Sequence, residues 1–192
     1  MQTTYPRTRR WTRVEYDRLI DQGVFQPGER LELLAGQLVV REPQGDPHSL
    51  TVELVHEALR AAFGSEWRVR TQLPVALDDD SEPEPDVSVA EGPLHRGAEA
   101  KPARLALVVE VAASSLTLDR EEKGSLYARA RVADYWIVNL VDRVLEVYRD
   151  PGPDPSASYG WTYLSIQRLP AGEHVAPLAV PTSRIAVVDL LP

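Results

Sequence analysis

The chain has 192 residues, and its 29 acidic side chains outnumber the 21 basic ones to give a formal net charge of −8. This length suits a single domain, because one hydrophobic core serves chains of roughly 100–200 residues. The acidic balance argues against a protein that coats nucleic acid, since that binding mode needs a basic face to neutralise phosphates. The absence of cysteine excludes disulfide scaffolds, thiol nucleophiles and thiolate zinc sites, and it favours metal sites built from oxygen ligands.

The start of the sequence leads us to expect no export signal. Met1–Arg13 contains four Arg but no hydrophobic stretch, and no window approaches the ~18 uninterrupted apolar residues of a membrane-spanning helix. We therefore expect a cytoplasmic protein that forms one domain over residues 1–192, with residues 1–11 flexible.

Helix and strand signals alternate along the chain. The first part predicts a short helix from the capping box Thr12-Glu15 to near Gly23, and then a hairpin over Arg30–Arg41 that turns at Ala35-Gly36. A second helix follows, which Asp46 caps, Pro47 opens and Phe63 ends. After it we expect strands over Trp67–Thr71 and Pro74–Leu77 and an acidic loop over Asp78–Pro85. The second part predicts strands over Asp86–Val89 and Leu105–Ala113, a helix over about Asp119–Arg131, strands over Asp134–Asn139, Arg143–Tyr148 and Trp161–Gln167, a loop over Asp150–Ser158 and an edge strand over Ile185–Val188. This order predicts a mixed α+β domain with helices packed on one sheet.

Glu110 is the most informative residue. It stands inside the apolar run LALVVEVAA, whose length and β-branched residues indicate a central strand covered on both faces. An ionised carboxylate without a partner there would cost several kcal/mol. Either Glu110 reaches solvent or an Arg at the strand end, or a divalent cation compensates it; the cation is the stronger compensator and usually needs a second carboxylate.

Asp86 is the natural second carboxylate. It follows Pro85 at the start of a short strand, and it shares with Ser88 the face opposite Val87 and Val89. Taken alone, a Pro-Asp pair at a strand start is common turn chemistry. If the strands of Asp86 and Glu110 are neighbours, however, the two carboxylates converge at one end of the sheet and form a hard-cation site.

Lys123 completes the candidate set. In its helix it shares with Leu126, Tyr127 and Ala130 the face that packs on the sheet. A Lys on such a face either extends outward along its stem or points its ammonium into a pocket, where Glu110 would pair with it. Beside a metal-bound water and a scissile phosphate, this ammonium would stabilise developing negative charge. Tyr127 is expected to contribute packing alone.

Glu32 and His48 are secondary candidates. Alternation along the first hairpin puts Glu32 opposite Leu31 and Leu33, which favours an exposed strand residue. His48 opens the second helix and has the alternative of being a surface residue. The other three His, at positions 56, 95 and 174, show no ligand spacing and are interpreted as solvated.

Four segments carry a resemblance to a known family: LELLAGQL from Leu31, PEPDVSV from Pro83, LALVVEVAASSL from Leu105 and DREEKGSLYARARVADYWIVN from Asp119. Over about Thr12 to Leu191 the chain resembles the Uma-two family of "putative restriction endonucleases", a branch of the PD-(D/E)XK nuclease-like superfamily, and His48 falls where that family places a His. The resemblance implies a restriction-endonuclease-like core, a mixed β-sheet flanked by helices, with an extra N-terminal hairpin and C-terminal strands. It also implies a divalent metal held by Asp86 and Glu110. The superfamily Lys position is occupied by Ala112, so the resemblance assigns that role to Lys123.

The expected function is hydrolysis of DNA phosphodiester bonds by a metal-dependent endonuclease. Asp86, Glu110 and the backbone carbonyl of Val111 are predicted to bind Mg²⁺ or Mn²⁺. Lys123 is the third catalytic residue, and Glu32 and His48 are auxiliary. A homodimer is expected by analogy, because cutting two strands invites a second copy. The alternative is a catalytically silent module of the same fold with an interaction or regulatory role; a carbohydrate-binding β-rich protein has only scattered Trp and Tyr residues in its favour.

Overall fold

The computed structural model describes residues 8–41 and 43–192. The helices are α1 (Arg13–Asp21), α2 (Asp46–Phe63) and α3 (Gly124–Arg129), with a π-helical turn over Leu118–Lys123 that leads into α3 and a 3-10 turn over Val187–Leu190. The strands are β1 (Leu31–Leu34), β2 (Gln37–Val40), β3 (Trp67–Thr71), β4 (Val87–Glu91), β5 (Leu105–Ala112), β6 (Asp134–Asn139), β7 (Val144–Pro153), β8 (Trp161–Pro170), β9 (His174–Val175) and β10 (Ile185–Ala186). The predicted mixed α+β class, with its N-terminal hairpin and additional C-terminal strands, is confirmed.

A six-stranded mixed sheet in the order β3-β4-β5-β6-β7-β8 forms the centre of the fold. The β5–β6 pair is parallel and the other pairs are antiparallel. Parallel strands need a crossover connection, which the helical segment from Leu118 to Arg129 supplies. This crossover carries Lys123 over one face of the sheet, close to the end of β5.

The two faces of β5 belong to two different hydrophobic clusters. Val109 and neighbouring odd-numbered residues pack in the cluster that contains Leu59 of α2, whereas Val108 packs in the cluster that contains Tyr127 of α3. Because side chains alternate along a strand, Glu110 lies on the α3 face. The prediction of a central strand covered on both sides is therefore correct.

The predicted strand at Pro74–Leu77 is wrong. This segment is irregular, and its amides bond to loop carbonyls, Val75 to Pro83 and Ala76 to Pro102. Two local features stop the chain from continuing in the sheet: Gln72 adopts a left-handed φ of 48°, and Pro74 has no amide hydrogen to donate.

Strand β7 extends to Pro153, so the predicted loop over Asp150–Ser158 begins too early. The last ladder pair between β6 and β7 joins Asp134 to Arg149, and beyond it β7 pairs with β8 alone. Pro151 and Pro153 therefore lie where one side of the strand has no partner to bond, which is where a strand tolerates proline.

Other differences concern element ends. The cap of α2 is Gly45, one residue before the predicted Asp46, and β5 ends at Ala112. The predicted edge strand at Ile185–Val188 is confined to two residues, which pair with β9 in a separate small sheet. Val187 to Leu190 then form the 3-10 turn.

The first hairpin anchors the start of the described chain. Ala35 and Gly36 both have positive φ, 46° and 79°, as a two-residue hairpin turn of type I′ requires. The Trp11 amide donates to the Gly36 carbonyl at 2.8 Å. Residues 1–7 of the segment predicted to be flexible lie outside the described residues.

Across residues 8–41 and 43–192, none of the helices has both the length and the apolar composition needed to cross a membrane.

Candidate functional site

A cavity of about 410 Å³ opens where β4 begins and β5 ends. Its charged and titratable lining comes from the hairpin, the start of α2, both strands and the crossover segment: Glu32, Arg41, His48, Asp86, Glu110, Asp119 and Lys123. The three residues predicted to be catalytic and the two auxiliary candidates are thus brought together in one cavity.

Asp86 enters the cavity from the residue that precedes β4. Val87 pairs with Val109, and continuing this antiparallel register by one residue sets Asp86 opposite Glu110. The residue Asp86 is 2% exposed, and its Oδ2 accepts a hydrogen bond from the Val111 amide at 2.9 Å. The amide and the carbonyl of one strand residue face the same side, so the Val111 carbonyl is directed toward Asp86 as well.

Three side chains complete the surroundings of Asp86. Arg41 Nη2 and Gln44 Nε2 donate to its Oδ1 at 3.0 and 3.3 Å, and His48 Nε2 lies 3.0 Å from its Oδ2. Burial would raise the pKa of Asp86, but the hydrogen bond and charge of His48, the Val111 amide and the charge of Lys123 bring this pKa down to about 2. Asp86 is therefore an ionised acceptor at neutral pH.

His48 is buried, and this decides against the surface alternative. Since the Asp86 carboxylate is ionised, the facing Nε2 carries the proton and donates it. His48 Nδ1 is buried and has no hydrogen-bond partner among the described residues. His48 therefore contributes a hydrogen bond that orients Asp86.

Glu110 lies beside Lys123 and Tyr127. Its Oε1 accepts from Lys123 Nζ at 3.1 Å and from the Tyr127 hydroxyl at 2.7 Å. Burial raises the pKa of Glu110, the ammonium of Lys123 opposes that shift, and the nearby carboxylates Asp86, Asp119 and Glu32 add to it, so the pKa lies above the usual range of a glutamate. The buried carboxyl is thus a group that gains from an additional cation.

Lys123 is 4% exposed and bridges two carboxylates. Its Nζ lies 3.1 Å from Glu32 Oε2 and 3.1 Å from Glu110 Oε1. Burial would lower the pKa of Lys123, but the charges of Glu110 and Glu32 raise it above the usual range, so the ammonium stays protonated. Of the two arrangements considered from the sequence, the side chain adopts the inward one.

The expectation that Glu32 is exposed is wrong, because its exposed fraction is 1%. Strand β1 is buried on both faces: Leu33 forms a bridge with Glu82 of the acidic segment, and Glu32 Oε1 accepts from the Glu84 amide at 3.1 Å. Alternation identifies the face of a side chain, but it cannot show that both faces are covered. Glu32 belongs to the site as the second carboxylate of Lys123.

Three residues of the site were not identified as polar contributors from the sequence. Tyr127 was expected to pack, although its spacing of four residues from Lys123 could have indicated a shared target. Arg41 contacts Asp86, and its Nε lies 3.4 Å from Glu32 Oε1, but no local pattern distinguishes it from a surface Arg. Asp119 accepts from Ser115 at 2.5 Å; burial raises its pKa to about 6, although Lys123 and that hydrogen bond lower it.

The cavity lining carries more carboxylates than cations. The four carboxyl side chains of Glu32, Asp86, Glu110 and Asp119 face two cationic side chains, Arg41 and Lys123. A phosphate diester would be repelled by this lining unless a cation accompanied it. One divalent cation would supply the missing charge.

The oxygen ligands in the cavity fit Mg²⁺ better than a metal ion that needs all of its ligands from the protein. In the part of the chain that the structure describes, no group of three His, Asp or Glu side chains could hold a metal ion. Magnesium, however, typically takes one or two carboxylates, keeps several waters and binds substrate phosphates. Asp86 and Glu110 are the carboxylates, and the Val111 carbonyl the third oxygen, that would hold such an ion.

Comparisons with known proteins agree with this fold. A crystal structure of "a putative nuclease belonging to DUF820" from Anabaena variabilis ATCC 29413 is similar to this chain, with a TM-score of 0.67 and 16% sequence identity. The match covers 93% of this chain and 96% of that chain, and at this identity it shows the shared nuclease-like fold. A search of curated proteins found no match. A family model described as "Putative restriction endonuclease" matches residues 13–187, and the chain therefore belongs to the Uma2 family.

Proposed function

We propose that this protein is a Mg²⁺- or Mn²⁺-dependent endonuclease that hydrolyses phosphodiester bonds in DNA. One observation carries the proposal: Asp86, Glu110 and Lys123 meet in one cavity, where four carboxyl side chains face two cationic ones. Such a lining suits a divalent cation and the phosphate that binds to it. The family and the fold support the same reaction class.

Each residue has a distinct role in this proposal. Asp86, Glu110 and the Val111 carbonyl would hold the ion. When bound, the ion would lower the pKa of a coordinated water and offset the charge of the phosphate. The ammonium of Lys123, held by Glu32 and Glu110, would donate to a phosphate oxygen as negative charge develops.

Neighbouring side chains position these groups. Arg41 and His48 fix the two oxygens of Asp86, and the Tyr127 hydroxyl fixes Oε1 of Glu110. Hydrogen bonds of this kind hold ligating carboxylates in their productive orientation. Burial of the site limits competing water, which strengthens every charge interaction inside it.

Nicking of supercoiled plasmid tests the proposal. Wild-type protein should nick the plasmid with Mg²⁺ or Mn²⁺ and should be silent with EDTA, and Glu110→Gln should lose at least about 100-fold in rate. The matched control is Glu146→Gln, because Glu146 is a buried glutamate outside the cavity lining. Equal loss in both variants, or metal-independent cleavage by the wild type, would contradict the assignment.

The catalytically silent module is a second candidate, favoured by one observation. The two central polar groups of the site are satisfied internally, since Asp86 has four hydrogen-bond contacts and Lys123 is paired on two sides. Absence of metal-dependent cleavage on every nucleic-acid substrate would favour this candidate. The cytoplasmic location and the homodimer stay predictions, and light scattering of the purified protein tests the latter.

A further inference from the structure

The catalytic groups lie below the protein surface. Asp86 and Glu110 are each 2% exposed and Lys123 is 4% exposed, so a scissile phosphate has to enter the cavity to reach them. The cavity has a volume of about 410 Å³, which is in the range of pockets that take one small ligand. The nucleic-acid backbone must therefore distort locally so that one phosphate enters the cavity.

An intact duplex is poorly suited to such an entry. Double-stranded DNA is stiff, with a persistence length of about 150 base pairs, and local distortion of a site costs on the order of 1–6 kcal/mol. Enzymes that do chemistry on a base inside a pocket use single strands or extrude the nucleotide from the stack, and a buried backbone-cleaving site meets the same cost of distortion. A flexible single strand can place one phosphate in the cavity without breaking base pairs.

Both cationic side chains of the described cavity lining are already paired with carboxylates, which leaves little positive charge to compensate a duplex for distortion. Arg41 is bound to Glu32, Glu84 and Asp86, and Lys123 is bound to Glu32 and Glu110. Duplex binding depends on neutralising several phosphates at once. Within the described lining, both permanent cations are already neutralised by carboxylates.

The mouth of the cavity presents apolar surface. Val40 is 56% exposed at the end of β2, and Pro43 and Ala113 are exposed on the two loops beside it. Unpaired bases expose faces that gain from burial against apolar surface, whereas the outside of a duplex presents phosphates. The mouth thus favours exposed bases over a paired backbone.

From these three features we infer that the site acts on single-stranded DNA, or on the unpaired part of a duplex, in preference to intact duplex. This inference rests on the proposed nuclease function and specifies its substrate. Plasmid nicking would then begin at transiently unpaired positions, which negative supercoiling favours.

The test compares one labelled oligonucleotide sequence in three forms: single strand, blunt duplex and duplex with a central unpaired loop. With Mn²⁺, the single strand and the loop should be cut at least about 10-fold faster than the duplex. Binding is measured in parallel by fluorescence anisotropy with Ca²⁺, and the same order is expected. Equal or faster cutting of the duplex, or equal or tighter binding of it, overturns the inference.

The binding measurement separates the two proposals. If no form is cut with any divalent metal, the nuclease proposal fails, and the anisotropy order still decides whether the cavity selects unpaired DNA. If all forms are cut at the same rate, the nuclease proposal holds and the substrate inference fails.

A matched pair of variants ties the preference to the mouth of the cavity. Val40→Glu adds a negative charge at the mouth, and Val188→Glu adds the same charge at a residue of similar exposure in the 3-10 turn that contacts α2. Val40→Glu should weaken single-strand binding at least about 10-fold, and Val188→Glu should leave it unchanged. Equal effects of the two substitutions would show that the mouth does not contact the strand.

Discussion

Lys123 Nζ lies 3.1 Å from Glu110 Oε1, although the two residues belong to different layers of the fold. The contact exists because β5 continues through a helical crossover to the parallel strand β6, and this crossover returns over the face on which Glu110 lies. Each charge offsets the burial of the other, since removal of one partner from a buried pair leaves an uncompensated charge. The pair is thus a structural consequence of the β5–β6 connection and also the centre of the proposed site.

Glu110→Gln should affect catalysis more than stability. The neutral amide keeps an acceptor for Lys123 and Tyr127, and Glu32 still neutralises the ammonium. We expect the free energy of unfolding in metal-free buffer to fall by less than about 1 kcal/mol or to rise. Calorimetry checks this: a loss of several kcal/mol would identify Glu110 as half of a structural ion pair.

The control variant Glu146→Gln should show the opposite pattern. Glu146 accepts from Arg120 Nε at 3.0 Å, Asn139 at 2.8 Å and Tyr148 at 2.8 Å, so its charge is well compensated. Replacing the Glu146 carboxylate by an amide should lower the free energy of unfolding by about 1–3 kcal/mol and leave the cleavage rate unchanged.

Lys123→Ala should reduce turnover more than metal affinity, because the proposed role of the ammonium is to act on the phosphate and not to ligate the ion. Lys123→Arg should not restore turnover, since the planar guanidinium is too large for a pocket where Nζ is 3.1 Å from two carboxylates. Cleavage rates and metal titrations of both variants check this.

The other lysine of the chain provides a control for the preceding substitution. Lys101 pairs with Asp17 and Glu82 away from the cavity lining, and Lys101→Arg should keep full activity. A Lys123→Arg protein that cleaves at the wild-type rate would reduce Lys123 to a generic positive charge. Because Lys123→Ala leaves Glu110 without a cationic partner and opens a cavity, Lys123→Met, which fills more of the space, is the second variant if the Ala protein unfolds.

Tyr127→Phe should lower activity by roughly 10-fold or more, because the hydroxyl orients Oε1 of the Glu110 carboxylate. Tyr163→Phe is the matched control in the same hydrophobic cluster, and its hydroxyl donates to the Val132 carbonyl at 2.8 Å. Each substitution removes one buried hydrogen bond and should cost about 1 kcal/mol of stability. If both variants retain the wild-type rate at saturating metal, Tyr127 has a packing role alone.

Acid should destabilise the fold in part through Glu146. Burial raises the pKa of Glu146, but hydrogen bonds from Arg120, Asn139 and Tyr148 lower it below the usual value of a glutamate. A carboxyl with a lower pKa in the folded state stabilises the protein above its unfolded pKa, and this contribution is lost as the pH falls through the folded value. Melting temperatures measured from neutral pH downward should therefore converge for wild type and Glu146→Gln; a gap that is constant or widens would contradict this.

Much of the site could be predicted from local patterns. The cost of a charge in the apolar run singled out Glu110, the position before a buried strand singled out Asp86, and helical spacing singled out Lys123. The hairpin turn at Ala35-Gly36 and the bounds of β3 and β6 were also correct, because these elements follow from short-range periodicity and turn chemistry.

Only the tertiary structure decided which side chains surround those three groups. Glu32, Arg41 and Asp119 reach the cavity from segments far apart in the chain, and each would be an ordinary exposed residue in an isolated hairpin or helix. Sequence periodicity reports the face of an element, whereas burial of a charge depends on which other element covers that face. For this protein, the sequence determined the main elements and the charged residues that could not be buried without a partner. The packing of the hairpin where β4 begins and β5 ends determined which groups compensate those charges.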